Sequence, residues 1–318
     1  MTVIPKKTKK IGIFSLANAA DPEKVAVGVE NFEKYTGMEI LPYSVTPPGP
    51  RRFAGDDTLR AENFNALLAV PEVSGLVAIR GGYGVTRILE KIDFEALQRK
   101  DCFLCGYSDI TALLLVAWKY GCHKLIHGPM IQSNWSADST SSAFKIEAES
   151  FLQAQKSISD TSEYVLQDFT QGTSKHVLPR ILKSASPLYP MPCPFLPMNL
   201  TLLCALLGTK FLPDLTGTIL ALEDISEPAH DIDRKLNQLR QVGILQRLAG
   251  LIFGQFTEAE DNEYLPQIFR EYAEFVPGPV IENFPFGHCH PSIALPFGTR
   301  AKITISSNNT PNLTLSQN

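Results

Sequence analysis

The stretch that decides the fold is CFLCGYSDITAL, residues 102–113, where an apolar run meets a glycine and a serine before a second apolar run. The first run predicts a buried strand, and Ile110–Tyr120 predicts an apolar helix that begins just after Ser108. A strand that turns sharply into a helix at a serine is typical of a nucleophile elbow, with the serine above free N–H groups of the helix start. Because Ile110 breaks the usual G-x-S-x-G spacing, helix capping by Ser108 or Asp109 is the simpler interpretation of this stretch alone.

Strands and helices alternate around this stretch. Apolar runs at 11–16 and 75–79 predict strands, and apolar residues at helical spacing predict helices over about 22–36, 58–70 and 85–92. Such alternation with short connections indicates a parallel sheet covered on both faces. We therefore expect an α/β fold for the first half of the chain.

The second half of the chain has a different pattern, and prolines become dense between Pro179 and Pro197. Apolar runs at 217–222 and 250–256 predict further strands. We place the passage into a second domain at the prolines. The expected organisation is an N-terminal α/β domain with a parallel sheet and the elbow, a linker, and a smaller β-rich C-terminal domain, over residues 1–160, 161–180 and 181–318.

Composition limits the functions to consider. The 318 residues are 44% hydrophobic and 19% charged, with a net charge of −4, which gives no electrostatic footprint for nucleic acid. The basic run Lys6, Lys7, Lys9 and Lys10 precedes the apolar run Ile11–Ala20, which resembles an export signal or a first strand. Interruption by polar residues favours the strand, and no other apolar segment approaches a membrane-spanning length. We expect a cytoplasmic protein that binds neither nucleic acid nor membrane.

Cys102 and Cys105 form a C-x-x-C, the spacing of a redox pair or of half a zinc site. Because the pair lies in the predicted strand and no second close pair exists, we interpret both as small buried side chains. A chain of this length does not need disulfides, which fits a reducing compartment.

A second strand-to-helix turn, IRGGYGVTR at 79–87, is rich in glycine. Such a turn can bring backbone N–H groups close to an anion or a reacting carbonyl. The dinucleotide and P-loop spacings are absent, so the candidates for substrate binding are Gly81, Gly82, Tyr83 and Arg87. An ordinary tight turn with a packed tyrosine and a surface arginine explains the pattern equally well.

Glu223 ends an apolar run in the second half, and His288 lies in the segment FPFGHCH at 284–290. A serine, a histidine and a carboxylate are the groups that a proton relay for nucleophilic catalysis requires. His288 and His290 are also spaced as metal ligands, but no third ligand motif accompanies them, so we expect neither a metal nor a cofactor. His127, which follows a predicted strand, is expected to line the site from behind.

Taken together, these segments resemble the LD-carboxypeptidase family, which includes murein tetrapeptide carboxypeptidases and microcin C immunity peptidases. Each motif is weak alone, but their order along nearly the whole chain makes the set specific. The motifs are Phe53–Asp56 with Arg60, Arg80–Gly84 with Arg87, Gly106–Ala112, His127–Pro129, Asn199–Thr201 with Leu207–Thr209, Leu222–Asp224 with Ile232–Arg234, Phe286–His288 and Leu295–Gly298.

The resemblance implies a metal-independent serine peptidase with a Ser–His–Glu triad. The matching positions are Ser108 as nucleophile, His288 as base and Glu223 as the group that orients the base. It also implies that the backbone N–H of Asp109 and that of a glycine in Arg80–Gly84 bind the oxyanion.

The family's fold pairs an N-terminal α/β domain with a smaller β-rich domain, and the site lies between them. Homodimers are common in the family, so a homodimer is expected here. The chain departs from the family at Pro197-Met198, where Gly-Gly is frequent, so that loop is expected to be shaped differently.

The implied reaction is hydrolysis of an L,D-amide that releases a terminal D-amino acid, D-alanine, from a murein tetrapeptide during cell-wall recycling. Arg80 or Arg87 is the candidate for binding the terminal carboxylate of this muropeptide. One alternative is a peptidyl-nucleotide antibiotic as substrate, which calls for aromatic stacking, yet Trp118 lies in an apolar helix and Trp135 is the only other tryptophan. The other is a non-catalytic protein that binds a peptide or cell-wall fragment, against which the complete set of triad residues argues.

Overall fold

Two sheets with surrounding helices form the described part of the computed structural model, which covers residues 10–160, 162–165, 178–185, 191–305 and 311–316. The strands are β1 (Lys10–Phe14), β2 (Glu39–Ile40), β3 (Val73–Ala78), β4 (Phe103–Gly106), β5 (Leu125–His127), β6 (Tyr164–Val165), β7 (Arg180–Lys183), β8 (Cys193–Asn199), β9 (Ile219–Ile225), β10 (Gly250–Thr257), β11 (Val280–Glu282), β12 (Leu295–Phe297), β13 (Arg300–Ile305) and β14 (Pro311–Ser316). The α-helices are α1 (Pro22–Thr36), α2 (Asp57–Ala69), α3 (Phe94–Lys100), α4 (Ile110–Lys119), α5 (Ser142–Asp160), α6 (Leu200–Leu206), α7 (Ala229–Gln241) and α8 (Leu265–Ala273).

The first sheet has the strand order β12–β5–β4–β3–β1–β2, and all its pairs are parallel except β12 with β5. All four residues of β4 are buried, as expected for a strand inside a parallel sheet that is covered on both faces. Because parallel strands end at the same edge, the loops that follow β3 and β4 lie side by side. The predicted α/β fold is confirmed.

The second sheet has the strand order β6–β14–β13–β8–β9–β10–β11–β7. Its centre, β8 to β11, is parallel, whereas β13, β14, β6 and β7 pair antiparallel. The predicted β-rich second region is thus confirmed, and its parallel centre brings the carboxyl ends of β8 and β9 together.

The two sheets are joined by segments that cross between them. Strand β12 comes from the C-terminal third but pairs with β5 of the first sheet, and β6, inside the expected linker, pairs with β14 of the second. Helix α4 contacts β4 and β5 on one side and β8 and α6 on the other, which explains why Ile110–Ala117 is buried on all faces. One apolar core therefore reaches from the first sheet into the second.

Some expected features lie outside the described residues, namely Lys6, Lys7 and Lys9 and residues 166–177 of the linker. Cys102 and Cys105 are separate buried thiols, as predicted, and burial raises the pKa of Cys102 to about 11. Among the helices that the structure describes, none combines the length and apolar character needed to span a bilayer.

The predicted α-helix over 85–92 is wrong. The chain forms two 3₁₀ turns there, Val85–Arg87 and Leu89–Lys91, separated by a non-helical Ile88. Apolar residues three apart face the same side of a 3₁₀ turn as well as of an α-helix, so their spacing could not separate the two structures.

Candidate active site

The turn between β4 and α4 places Ser108 in a backbone conformation that few serines adopt. Its φ is +61°, in the left-handed region, where a side chain with a Cβ is strained. Gly106 lets the helix fold back closely, since a Cβ there would lie 2.7 Å from Cγ2 of Ile110. A capping serine would have extended backbone and a side chain bonded to the helix start, whereas the N-cap here is Asp109 without a side-chain cap bond. The geometry is that of an elbow.

His288 and Glu223 form a close pair across the loop that follows β11. Nδ1 of His288 lies 2.7 Å from Oε2 of Glu223, and the Glu223 side chain is fully buried. The other oxygen, Oε1, accepts a hydrogen bond from Nδ2 of Asn199 at 3.2 Å. Because one carboxylate oxygen faces the imidazole and the other is held by an amide, the orientation of both groups is fixed.

Two neighbours hold the His288 loop against Glu223. Gly287 has a φ of +109°, and a Cβ there would lie 2.7 Å from Cβ and Oε2 of Glu223, so only glycine allows this approach. The hydroxyl of Thr257 donates to the carbonyl of His288 at 2.9 Å. The loop therefore sits directly on the strand that carries the carboxylate.

The pKa of His288 reflects opposing influences. Burial alone would lower it, but the hydrogen bond and charge of Glu223, supported by Asp224 and Glu258, raise the pKa above its ordinary value. The site therefore stabilises the imidazolium that forms when His288 accepts a proton.

Tyr107 links the elbow to this pair. Its ring centroid lies 5.0 Å from that of His288 in an edge-on arrangement, and Ser108 is the next residue. Within the described residues no hydrogen bond joins Ser108 to His288. Catalytic hydrogen bonds are often long before substrate binds, so this absence does not separate Ser108 from the His288–Glu223 pair.

The glycine-rich turn after β3 passes directly beside Ser108. A Cβ on Gly81 would lie 2.8 Å from Cβ and 2.9 Å from Oγ of Ser108, and 3.6 Å from the backbone nitrogen of Asp109. In the described part of the chain, neither the N–H of Asp109 nor that of Gly82 has an acceptor. The turn that Gly81 brings beside Ser108 and the start of the elbow thus each carry an unpaired N–H group, the type of donor that binds a developing oxyanion.

The side chain of Asp109 connects the elbow to the same turn. Its Oδ2 accepts a hydrogen bond from the backbone N–H of Val85 at 2.9 Å. Burial raises the pKa of Asp109 to about 6, although the Val85 bond and the charge of Arg60 act in the opposite direction. The carboxyl group thus ties together the two loops that carry the free N–H groups.

The two candidate arginines have different partners. Arg87 binds Asp57 with two nitrogens, at 2.7 Å and 3.2 Å, and Asp57 also binds the buried Arg60 at 2.5 Å. Arg80 instead donates to the carbonyls of Gly81 and Ala19, and it pairs with no carboxylate among the residues described. The charge of Arg87 is therefore compensated, whereas that of Arg80 is available to an anion.

Tyr83 lies on the same glycine-rich turn and is 52% exposed. Its ring packs against Phe53 with the centroids 5.6 Å apart. The exposed face can contact a ligand without any rearrangement of the turn.

His127 lies behind the site, as expected. Its ring is buried between Tyr107 and Phe286, and burial lowers its pKa to about 4, so the imidazole is neutral. Neither ring nitrogen has a hydrogen-bond partner in the described part of the chain.

Sequence reasoning missed several residues that shape the site. Asn199 and Tyr107 were considered only as parts of motifs, and nothing singled out Thr257 or Glu147. His290 was considered as a metal ligand beside His288, but its Nδ1 lies 2.9 Å from Oε1 of Glu147, a different carboxylate from that of His288. An asparagine directly before an apolar helix was an available signal for Asn199, since it caps α6 through its side-chain oxygen.

Comparison with known proteins identifies related chains over nearly the whole length. The family model described as the LD-carboxypeptidase N-terminal domain matches residues 11–128, and the LD-carboxypeptidase C-terminal domain matches residues 194–303. A probable murein peptide carboxypeptidase of Bacillus subtilis is 28% identical over 93% of this chain and 90% of its own length. The microcin C7 self-immunity protein MccF of Escherichia coli is 24% identical over 94% of this chain and 91% of its own.

A solved structure of a related enzyme has the same fold. The crystal structure of muramoyltetrapeptide carboxypeptidase from Oxalobacter formigenes superposes with a TM-score of 0.80 at 25% identity, covering 97% of this chain and 99% of that one.

Proposed function

This chain belongs to the LD-carboxypeptidase family, and on that premise we propose that it removes the terminal D-alanine from murein tetrapeptides in cell-wall recycling. The observation that carries the proposal is the buried His288–Glu223 pair at 2.7 Å beside a serine held at positive φ. The related murein peptide carboxypeptidases support the substrate class.

We assign Ser108 as the nucleophile, His288 as the general base and Glu223 as the orienting carboxylate. The Nδ1–H of His288 donates to Glu223, which leaves Nε2 free to accept the proton of Ser108. The serine oxygen attacks the carbonyl that precedes D-alanine, and the imidazolium returns the proton to the departing amine. Water then attacks the acyl ester with the same base, which releases the shortened peptide.

The oxyanion of each tetrahedral intermediate would bind the backbone N–H groups of Asp109 and Gly82. Removing one such donor costs about 10²- to 10³-fold in kcat in well-studied hydrolases. The lack of an acceptor for either N–H, and the close approach of Gly81 on the same turn to Ser108, support this assignment.

Arg80 is our candidate for the terminal carboxylate of the substrate, in preference to Arg87. Two nitrogens of Arg87 are already bonded to Asp57, and a substrate carboxylate would have to compete with that ion pair. Arg80 gives up only hydrogen bonds to two carbonyls. A charge-assisted contact with the substrate carboxylate would thus form at Arg80 without breaking an ion pair.

A second candidate substrate is a peptidyl-nucleotide, supported by the similarity to the microcin self-immunity protein. Stacking on a base requires an exposed aromatic ring. Trp135 is buried among Phe32, Phe144 and Phe151, so Tyr83 is the aromatic side chain beside the site that offers an open face. We rank this candidate below the muropeptide.

We also propose a cytoplasmic homodimer. Residues 10–14 form β1 between β2 and β3, and cleavage of this segment as an export signal would remove an inner strand. Size-exclusion chromatography with light scattering tests the dimer, and a monomer at micromolar concentration would contradict it.

The substrate is tested by mass spectrometry with three peptides: a murein tetrapeptide, its analogue ending in L-alanine, and a peptidyl-sulfamoyl-adenosine. We expect loss of one alanine from the first peptide alone. Cleavage of the nucleotide conjugate in preference would establish the second candidate, and equal cleavage of the L-alanine analogue would contradict the stereochemical assignment. The Ser108→Ala variant serves as the control for contaminating peptidases.

A further inference from the structure

A second histidine–carboxylate pair lies beside the first one, on the same loop. His290, two residues after His288, places its Nδ1 2.9 Å from Oε1 of Glu147. Glu147 belongs to α5, and its side chain is only 3% exposed, whereas that of His290 is 62% exposed. The mechanism proposed above uses neither residue.

The buried carboxylate of Glu147 is fully engaged. Oε1 also accepts the backbone N–H of Ser292 at 2.9 Å, and Oε2 accepts Nδ2 of Asn134 at 3.0 Å. Asn134 in turn accepts the N–H of Met130 through its side-chain oxygen. A buried carboxylate with three donors is held rigidly, because losing any of them leaves charge without compensation.

These bonds reach the catalytic loop by a short route. Ser292, held by Glu147 through its N–H, accepts the N–H of Gly287 on its hydroxyl at 3.1 Å, and Gly287 directly precedes His288. A turn further along α5, the hydroxyl of Ser150 accepts the N–H of Ala294. The loop from 287 to 294 is therefore fastened along α5.

Helix α5 packs against β12 and β5 of the first sheet, and β5 is the neighbour of the strand that leads into Ser108. Glu223, in contrast, belongs to the second sheet. The loop that carries His288 is thus held on two sides. Glu223 of the second sheet contacts it on one side, and Glu147 of α5, the helix that packs against the first sheet, contacts it on the other.

We infer that Glu147 is a positioning residue for His288: it fastens the histidine loop to the layer that carries Ser108. This inference rests on the proposed catalytic function. The hydrogen bond to Glu147, together with the charge of that carboxylate, raises the pKa of His290 against the effect of burial, which favours the ion pair.

The test uses a fluorophosphonate probe that reacts with the activated serine and does not depend on the identity of the substrate. In Glu147→Gln we expect the maximal rate of labelling to fall roughly tenfold to a hundredfold, with the probe concentration for half-maximal rate changed by less than about twofold. Hydrogen exchange of the 287–294 amides should become faster. The matched control is Glu149→Gln, an exposed glutamate on the same helix, which should label at the wild-type rate.

A second variant guards against a folding defect in Glu147→Gln. Because His290 is largely exposed, His290→Ala should fold, and we expect a smaller fall in the maximal labelling rate in the same direction. Wild-type labelling rates in both variants would overturn the inference. A wild-type protein that labels but releases no D-alanine would refute the proposed substrate alone, whereas one that does not label at all would overturn the Ser108 assignment and this inference together.

Discussion

In the proposed mechanism, the chemistry depends most strongly on His288, because its imidazole must be neutral to accept the proton of Ser108 and is charged afterwards. Burial disfavours the charged form, and Glu223 favours it at a hydrogen-bond distance of 2.7 Å. The pKa of His288 is raised, so the effect of Glu223 is larger than the effect of burial. The ordinary value is 6.5, so the neutral form predominates only at a higher pH than for a free histidine.

The pH dependence follows from this sign. We expect kcat/KM to fall as the pH drops through the pKa of His288, with the midpoint of the acid limb above 6.5. In Glu223→Gln the carboxylate that raises the pKa of His288 is gone, so burial lowers that pKa and the acid limb should move to lower pH. We also expect kcat to fall by on the order of 10⁴-fold, because the amide favours the wrong tautomer of His288. The measurement is a pH–rate profile, with the exposed Glu260→Gln as control. An unchanged acid limb in Glu223→Gln would contradict the pairing.

At the residue scale, the sequence proposed a serine, a histidine and a glutamate through its resemblance to a family, but it could not identify the side chains that contact them. Asn199 and Thr257 come from different strands, and their contacts with Glu223 and His288 depend on how β8, β9 and β10 align. Motif spacing carries no information on such alignment. The choice between Arg80 and Arg87 also needed the structure, because Asp57 is thirty positions away from Arg87.

At the scale of elements, the site depends on loops that approach one another without a Cβ in the way. The turn at Gly81 passes over Ser108, and the turn at Gly287 sits on Glu223. The first turn follows β3 of the first sheet, and the second follows β11 of the second sheet. We therefore propose that their glycines are parts of the site and not ordinary turn residues.

Gly287→Ala tests this interpretation. The new Cβ would lie 2.7 Å from Glu223, so we expect the His288 loop to shift and kcat to fall by about 10²-fold or more. The matched control is Gly208→Ala, which also has positive φ but no atom within 4 Å of the new Cβ. Both variants should lose roughly 1 kcal/mol of stability to backbone strain, measured by urea unfolding, but only the first should lose activity. Equal activity of the two variants would contradict a role for the close approach.

The type of an element was predicted well where the spacing of its apolar residues fits only a strand or only a helix, as in β4 and α4. The 3₁₀ turns at Val85–Lys91 were mistaken for an α-helix, because buried Val85, Ile88 and Leu89 satisfy both periods. Helix α8 and the short strands β7 and β11 were not predicted. Short strands depend on their partners in the sheet, which a local pattern does not contain.

At the scale of the whole molecule, the chain does not divide cleanly where its prolines become dense. Strand β12 returns from the second half to pair with β5, and α4 packs against both sheets. The proline-dense stretch coincides with β7 and the start of β8 of the second sheet, but β6 of that sheet precedes it, and strand exchange between sheets leaves no local signal. A site between the sheets needs this shared core, because Ser108 and Glu223 belong to different sheets.

The shared core predicts cooperative unfolding of the described regions. We expect tryptophan fluorescence, which reports on Trp118 and Trp135 near the first sheet, and far-UV circular dichroism to give the same urea midpoint. Leu295→Ala, in fully buried β12, should lower both midpoints together at a cost of about 2–5 kcal/mol, whereas exposed Val27→Ala should change them little. Two separated transitions in the wild-type protein would show that the sheets unfold independently.

The most direct test of the central claim is the release of D-alanine from a murein tetrapeptide by the wild-type protein and by Ser108→Ala, followed by mass spectrometry. We expect the wild type to release one D-alanine per peptide and the variant, with the same thermal stability, to release none above background. Equal release by both proteins would remove Ser108 from the mechanism and contradict the assignment of the elbow as the nucleophile site.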